Sequence, residues 1–277
     1  MTQGIELTDV KLDYVSIAEA RKLPGLRLVL GAYPIPGPWR ESCKGIFHVK
    51  RIPYTPVVTS GEGFSDLAFG KDGADTELRA WTGQSSGPVA IWNDERPRCS
   101  WIDQLYLAEL LKPEPALIPT AIDDQILMFG LAHQIAGEGG FGWTKRIAIR
   151  HRTLAAMPED DPERGLWSHI GEKYLYTPEL GATAPARMAE CVATLHQRLE
   201  SQKIAGSRYF IGDQLSALDI YWACFVALLQ PLAPELCPMA EFPYDNPDPE
   251  VQAALSPLLL EHRDYIYETY LELPIVF

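Results

Sequence analysis

Tyr209-Phe210-Ile211-Gly212-Asp213-Gln214-Leu215-Ser216-Ala217-Leu218-Asp219-Ile220 is the most specific local pattern in the chain. Ser216 stands at an N-cap position and Asp219 three residues on, the spacing of a capping box, in which each side chain takes up backbone N–H groups of the first turn. Leu215 and Ile220 occupy the N′ and N4 positions of a hydrophobic staple across the same turn. Read by itself, the stretch predicts a firmly capped helix over about 216–230.

The surrounding chain divides by pattern. Beyond Lys112-Pro113-Glu114-Pro115 and Ile118-Pro119, which mark a linker over 112–121, helical periodicity covers about 122–137, 185–202, 216–230 and 249–271, with no strand signal. Residues 151–183 give no clear pattern. Before the linker the order is mixed. Leu26-Arg27-Leu28-Val29-Leu30-Gly31 reads as a strand, stopped by Tyr33-Pro34-Ile35-Pro36-Gly37-Pro38. Trp39, Cys43, Ile46 and Phe47 then recur at helical spacing to about Lys50, with Pro38 suited to the first turn. A strand at Tyr54–Val58, a loop from Ser60 to Gly73, a short helix over 75–81, a strand at Pro88–Trp92 with its turn at Asn93-Asp94, and a helix over 100–111 complete a β-α-β-α-β-(β)-α order. The expected organisation is an extension over 1–25, an α/β domain over 26–111, the linker 112–121 and an all-helical domain over 122–277.

Composition narrows the function. Apolar residues make up 47% and charged residues 22% of 277, the balance of a globular chain that can bury a core. A formal net charge of −13 argues against binding a nucleic-acid backbone, although a helix N-terminus with an arginine can still hold a small anion. No apolar run approaches the ~18–20 residues of a membrane span, and Met1-Thr2-Gln3-Gly4-Ile5-Glu6 lacks the regions of a signal peptide, so a cytoplasmic protein is expected. The five cysteines are scattered without a CxxC and read as reduced thiols, and the histidines show no metal spacing.

The whole phrase from Tyr209 to Ile220 resembles the buried helix of the C-terminal domain of glutathione transferases. The α/β order before the linker resembles their thioredoxin-like N-terminal domain. The resemblance spans about residues 26–230 and implies a two-domain fold, a thioredoxin-like glutathione-binding half followed by a helical half that shapes a pocket for an apolar substrate. It also implies a homodimer and a role in detoxification.

On that resemblance, Gly87-Pro88 falls where the family has a cis-proline whose preceding residue pairs with the cysteinyl part of glutathione, although the family more often has a branched apolar residue at the position of Gly87. The family's acidic-Ser pair for the γ-glutamyl group falls on Cys99-Ser100, so the Ser is kept and the acid replaced; Asp94, Glu95 and Asp103 are the nearby carboxylates, and Arg98 is a nearby cation. The position that should carry the catalytic Ser or Cys falls at Gly37-Pro38-Trp39, where no hydroxyl or thiol is offered. Tyr33 is one substitute, Ser42 is displaced, and Cys43 reads as core. The preferred expectation is thiolate stabilisation by the Trp39 and Arg40 N–H groups with the Arg40 guanidinium. Trp39, Phe129, His133, Phe141 and Trp143 are candidate pocket walls, each with ordinary core packing as the alternative. The implied activity is transfer of the glutathione thiolate to a small hydrophobic electrophile, without a metal. The alternatives are a non-catalytic or regulatory binding protein of the same fold, or a glutathione-dependent isomerase, dehalogenase or ether-cleaving enzyme.

Overall fold

The computed structural model describes residues 12–31, 37–58, 76–238 and 244–277, apart from the side chains of 166 and 169–171. The loop expected over 60–73 lies outside them. The chain separates into two compact units, one of Met1–Ala116, Leu232–Phe242 and Tyr270–Phe277, the other of Leu117–Pro231 and Pro243–Thr269.

The first unit is built on three short strands in the order β2-β1-β3: β1 Leu26–Val29, β2 Thr55–Val57 and β3 Val89–Trp92. β1 runs parallel to β2, with Val29 opposite Val57, and antiparallel to β3, with Val29 opposite Val89. A parallel neighbour requires a crossover, and helix α2, Pro38–Val49, supplies it. The expected fourth strand is reduced to one antiparallel bridge between Ala90 and Arg98. Helix α3 spans Thr76–Thr82 and α4 Trp101–Leu111. A one-turn helix, α1 Ile17–Ala20, is capped by Ser16 and Glu19, and its Ile17 and Ala20 join Val29, Val57, Leu78, Val89 and Ile91 in one apolar cluster. Part of the segment before β1 is therefore core.

Lys50, at the C-cap of α2, is fully buried, yet every donor of its ammonium is used. Nζ lies 2.8 Å from the Glu109 carboxylate and donates to the carbonyls of Lys112 (2.8 Å), Pro113 (3.2 Å) and Pro115 (2.8 Å). The proline-rich segment after α4 is thereby tied to the end of α2, which is why residues 112–115 are ordered backbone and not a free tether.

The second unit is helical: α5 Ile122–Ala136, α6 Phe141–Ala156, α7 Arg164–Lys173, α8 Pro178–Ile204, α9 Ala217–Phe225 continued by a 3-10 turn at Val226–Leu228, α10 Pro249–Ala254 and α11 Pro257–Tyr270. α9 is buried along its whole length. The capping box forms, and Asp219 does more than cap. Its Oδ2 accepts from the Ser216 N–H (2.8 Å) and hydroxyl (2.7 Å), and its Oδ1 accepts from the Phe210 N–H (2.9 Å) and lies 2.9 Å from His262 Nε2 on α11. Trp222 adds a second tie, donating from its indole N–H to the Leu259 carbonyl at 3.1 Å.

Three helical segments differ from expectation. The helix expected over 249–271 is two helices, because Pro257 has no N–H to continue the ladder and Leu255 turns to an extended ψ of 92°. α8 starts seven residues early, since Thr177 caps it through the Leu180 N–H (3.2 Å) and Pro178 takes the first turn. The apolar pattern after α5 continues as a separate helix, α6, across a tight glycine turn. A Cβ at Gly137 would lie 2.2 Å from the His133 ring, and one at Gly140 would lie 2.7 Å from the His133 carbonyl.

Asp219→Ala would strip four donors of their buried acceptor. A loss of about 3–5 kcal/mol of stability is expected, the range for breaking a buried charged network, read as a lowered midpoint in urea denaturation. A pH dependence is expected of Lys145, whose side chain is fully buried on α6 and donates to the Asp245 carbonyl. Burial pushes its pKa down from 10.5 to about 8, followed by repulsion from Arg152 and against the attraction of Asp245 and Asp248. The folded pKa is lower, so the unfolded chain binds the extra proton between about pH 8 and 10.5. Stability held by this group therefore rises with pH across that window, by at most about 1.4 kcal/mol per unit. The difference in unfolding free energy between the wild type and Lys145→Met, measured at pH 8 and pH 10, should shift in favour of the wild type at the higher pH.

Candidate functional site

The register of the sheet brings three segments of the first unit to one end. Val29 pairs with Val89, so Leu30-Gly31 leaves the sheet beside the point where Gly87-Pro88 enters it. The Gly87-Pro88 peptide is cis, as expected for this place. A Cβ at Gly87 would stand 2.5 Å from the Val29 carbonyl oxygen, so glycine is required here for a close backbone approach. The bridge from Ala90 to Arg98 is antiparallel and carries Arg98-Cys99-Ser100 back towards the same end.

Ser100 is the N-cap of α4. Its oxygen accepts from the Asp103 N–H (3.2 Å) and its hydroxyl donates to Asp103 Oδ2 (3.0 Å). Two of the nearby carboxylates are paired with arginines: Asp103 meets Arg96 at 3.3 Å, and Glu95 meets Arg98 at 2.6 Å. Cys99, between the two segments, is half-buried, and burial followed by the charge of Asp103 pushes its thiol up. One further residue belongs here. Gln104, buried in the first full turn of α4, donates from Nε2 to the Pro88 carbonyl (3.0 Å) and to the Arg98 carbonyl (3.4 Å). It fastens the cis-proline segment to the segment that bears Ser100. Nothing in its neutral side chain marks it in the sequence among the other polar residues of α4.

α2 begins at the third part of this end. Gly37 is its N-cap with extended backbone (φ −66°, ψ 115°), no side chain among the described residues caps it, and Pro38 takes the first position. Such a terminus presents backbone N–H groups and the positive end of the helix dipole. Trp39 is half-buried. Arg40 is buried: its Nε lies 3.1 Å from Glu41, its Nη1 donates to the Gly31 carbonyl at 3.2 Å, and its guanidinium stacks over Phe277 at 5.7 Å. The guanidinium that the sequence spacing directs at a thiolate is here held among these groups. Ser42 is buried and donates to the Trp39 carbonyl at 3.1 Å. Cys43 is buried and its thiol is pushed up, by desolvation first and by Glu41 second. Both fit core positions. Tyr33 lies outside the described residues.

The pocket candidates of the second unit are placed differently from one another. Phe129 on α5 is half-buried, and His133 is exposed with its ring against Gly137. Phe141 is buried, 6.0 Å from the Trp222 ring, and is a core residue. Trp143 is half-buried, stands edge-on to Tyr174 at 4.9 Å, and donates from its indole N–H to the Tyr174 carbonyl at 2.9 Å. Among the described residues no group of His, Cys, Asp and Glu has the arrangement of a metal centre.

No family model and no curated protein sequence matches the chain. Solved structures do. The β-etherase LigF from Sphingobium sp. strain SYK-6 is similar with a TM-score of 0.55 at 16% identity, over 87% of this chain and 99% of that one. Glutathione transferase Omega 3C from Trametes versicolor is similar with a TM-score of 0.52 at 13% identity, over 97% and 94%. A glutathione S-transferase from Methylobacterium radiotolerans, solved with glutathione sulfonate, is similar with a TM-score of 0.50 at 14% identity, over 86% and 93%. Identities this low speak for the fold alone. The chain has the glutathione-transferase fold, a thioredoxin-like unit with an all-helical one.

Proposed function

We propose that the protein binds glutathione in its thioredoxin-like unit and transfers the thiolate to a small hydrophobic electrophile. The observation that carries this reading is the convergence of the start of α2, the cis Gly87-Pro88 peptide and the Ser100 end of α4 at one end of the sheet. The groups present suit the tripeptide. Gly87 offers backbone without a side chain, and the α4 terminus with Arg98 nearby favours a carboxylate. The start of α2 favours a sulfur anion. Glutathione supplies the thiol, whose sulfur forms the new bond to carbon as the leaving group departs with its electrons. A free thiol has a pKa of about 8.5 and is lowered by N–H donors and the dipole at a helix N-terminus, so the backbone around Trp39 and Arg40 would hold the anion without a hydroxyl. Solvent takes the proton. Trp39, in the first turn of α2, is the proposed apolar contact for the electrophile.

A specific observation favours a second reading, a binding protein of this fold without turnover. Ser100 is occupied by Asp103, and Gly37-Pro38-Trp39 provides no side-chain acid. Ether cleavage, dehalogenation or isomerisation would use the same thiolate on other substrates. A detoxification role follows only from the transferase reading. A cytoplasmic setting is proposed on the free cysteines, and no helix among the described residues is long and apolar enough to cross a membrane. A homodimer is proposed on the apolar side chains left exposed on two helices, Tyr106 and Leu110 of α4 and Ile122 and Ile126 of α5.

Retention on immobilised glutathione and conjugation of a generic aryl halide are expected. Retention without turnover on a panel of aryl halides, epoxides and aryl ethers selects a glutathione-binding protein, and absence of retention rejects the transferase reading and leaves a binding or regulatory protein of this fold. Gln104→Leu should weaken glutathione binding about tenfold, since one buried hydrogen bond of about 1–1.5 kcal/mol holds the Pro88 carbonyl. Light scattering should give a dimer mass that Ile126→Glu halves; a monomeric wild type would end the dimer proposal.

A further inference from the structure

The first half of α2 is unusual for a helix that opens a functional site, because its charged face is roofed by the far end of the chain. Arg40, Glu41 and Lys44 are all buried. They form a row in which Glu41 receives Arg40 Nε at 3.1 Å on one oxygen and Lys44 Nζ at 2.9 Å on the other. One carboxylate faces two cations, and both cations reach beyond it. Arg40 donates to the Gly31 carbonyl, just past the end of β1, and stacks on the Phe277 ring. Lys44 donates to the Val276 carbonyl. The roof is itself anchored, by the Leu12 N–H to the Phe277 carbonyl at 2.7 Å and by the Ile275 N–H to the Leu236 carbonyl at 2.8 Å. Ile275 and Phe277 are buried.

We infer that Phe277 is a positioning residue for the start of α2. Its ring fixes the Arg40 guanidinium in the one direction that also clamps Gly31, and the tail carbonyl at Val276 holds Lys44, so that the tail and the end of β1 grip the first two turns from both sides. This inference rests on the proposed glutathione site and gives Arg40 a role at one remove from the sulfur, as the link between the tail and the helix. The physical logic is that an arginine with its fork spread over a carbonyl, a carboxylate and an aromatic face has little rotamer freedom left. Release of the ring returns that freedom and desolvates the guanidinium less completely. The helix start then loses its fixed distance from β1, and a site that works by backbone donors depends on that distance within fractions of an ångström.

The test compares wild type, Phe277→Ala and Phe277→Tyr in the full chain, by amide hydrogen exchange and by titration with glutathione. Phe277→Ala is expected to speed exchange at the amides of residues 39–45 about tenfold while those of α9 are unchanged, and to weaken glutathione binding by a similar factor. Phe277→Tyr, which keeps the ring, should restore both. Unchanged exchange over 39–45 in Phe277→Ala overturns the inference, and so does acceleration spread evenly over the first unit, the mark of general destabilisation. If the wild type itself fails to bind glutathione, the proposed function falls while the exchange data still decide whether the tail positions α2.

Discussion

The carboxylate of Asp219 has no solvent to lean on, and four donors converge on it from three separate stretches of chain: the turn at Ser216, the aromatic approach at Phe210 and the helix α11 at His262. A buried carboxylate is tolerated only when its oxygens are fully used. The cap, the entry of the chain and the docking of α11 must therefore form together. The imidazole of His262 is fixed by the same demand, donating from Nε2 while the edge-on Phe210 ring lies 4.7 Å from it. Its Nδ1 is buried with no partner among the described residues.

The first unit solves a related problem with cations. Lys50 gathers the carbonyls that follow α4, and the Arg40–Glu41–Lys44 row gathers Gly31 and the tail. In both cases a charged side chain on α2 satisfies backbone carbonyls that irregular, proline-broken chain cannot pair within itself. Among the described residues the sheet has three short strands, and this set of charge-assisted bonds ties the chain around it. α2 is thus both the crossover that the parallel β1–β2 pair requires and the post to which the loose segments are tied.

These roles explain what the sequence discloses and what it hides. Short-range features are legible. The Ser216/Asp219 spacing, the proline at the head of β3 and the strand run of β1 act within a few residues, and each stands where it was expected. Helix limits set by a single residue are legible in hindsight, as with Thr177 and Pro257. What stays hidden is contact across long separations. Arg40 reads as a cation at a helix start, and its place over the Phe277 ring, more than two hundred residues on, has no signal in the sequence. Gln104 reads as an ordinary helix residue until the sheet register brings the Pro88 carbonyl to it. Phe141 and Trp143 look alike as aromatics two residues apart, yet the helix turns one to the core and the other to the Tyr174 segment.

The absence of a hydroxyl at Gly37-Pro38-Trp39 then has a structural counterpart. A side-chain donor can swing to meet a sulfur, so a site that has one tolerates some slack in its helix. A site limited to backbone N–H groups cannot adjust, and its donors are only as well placed as the helix that carries them. The buried ionic row beneath the start of α2 supplies that rigidity. Replacement of a hydroxyl by a braced helix end is a coherent way to keep an anion site, and it makes the stiffness of α2, more than any one side chain at its tip, the property on which activity would depend.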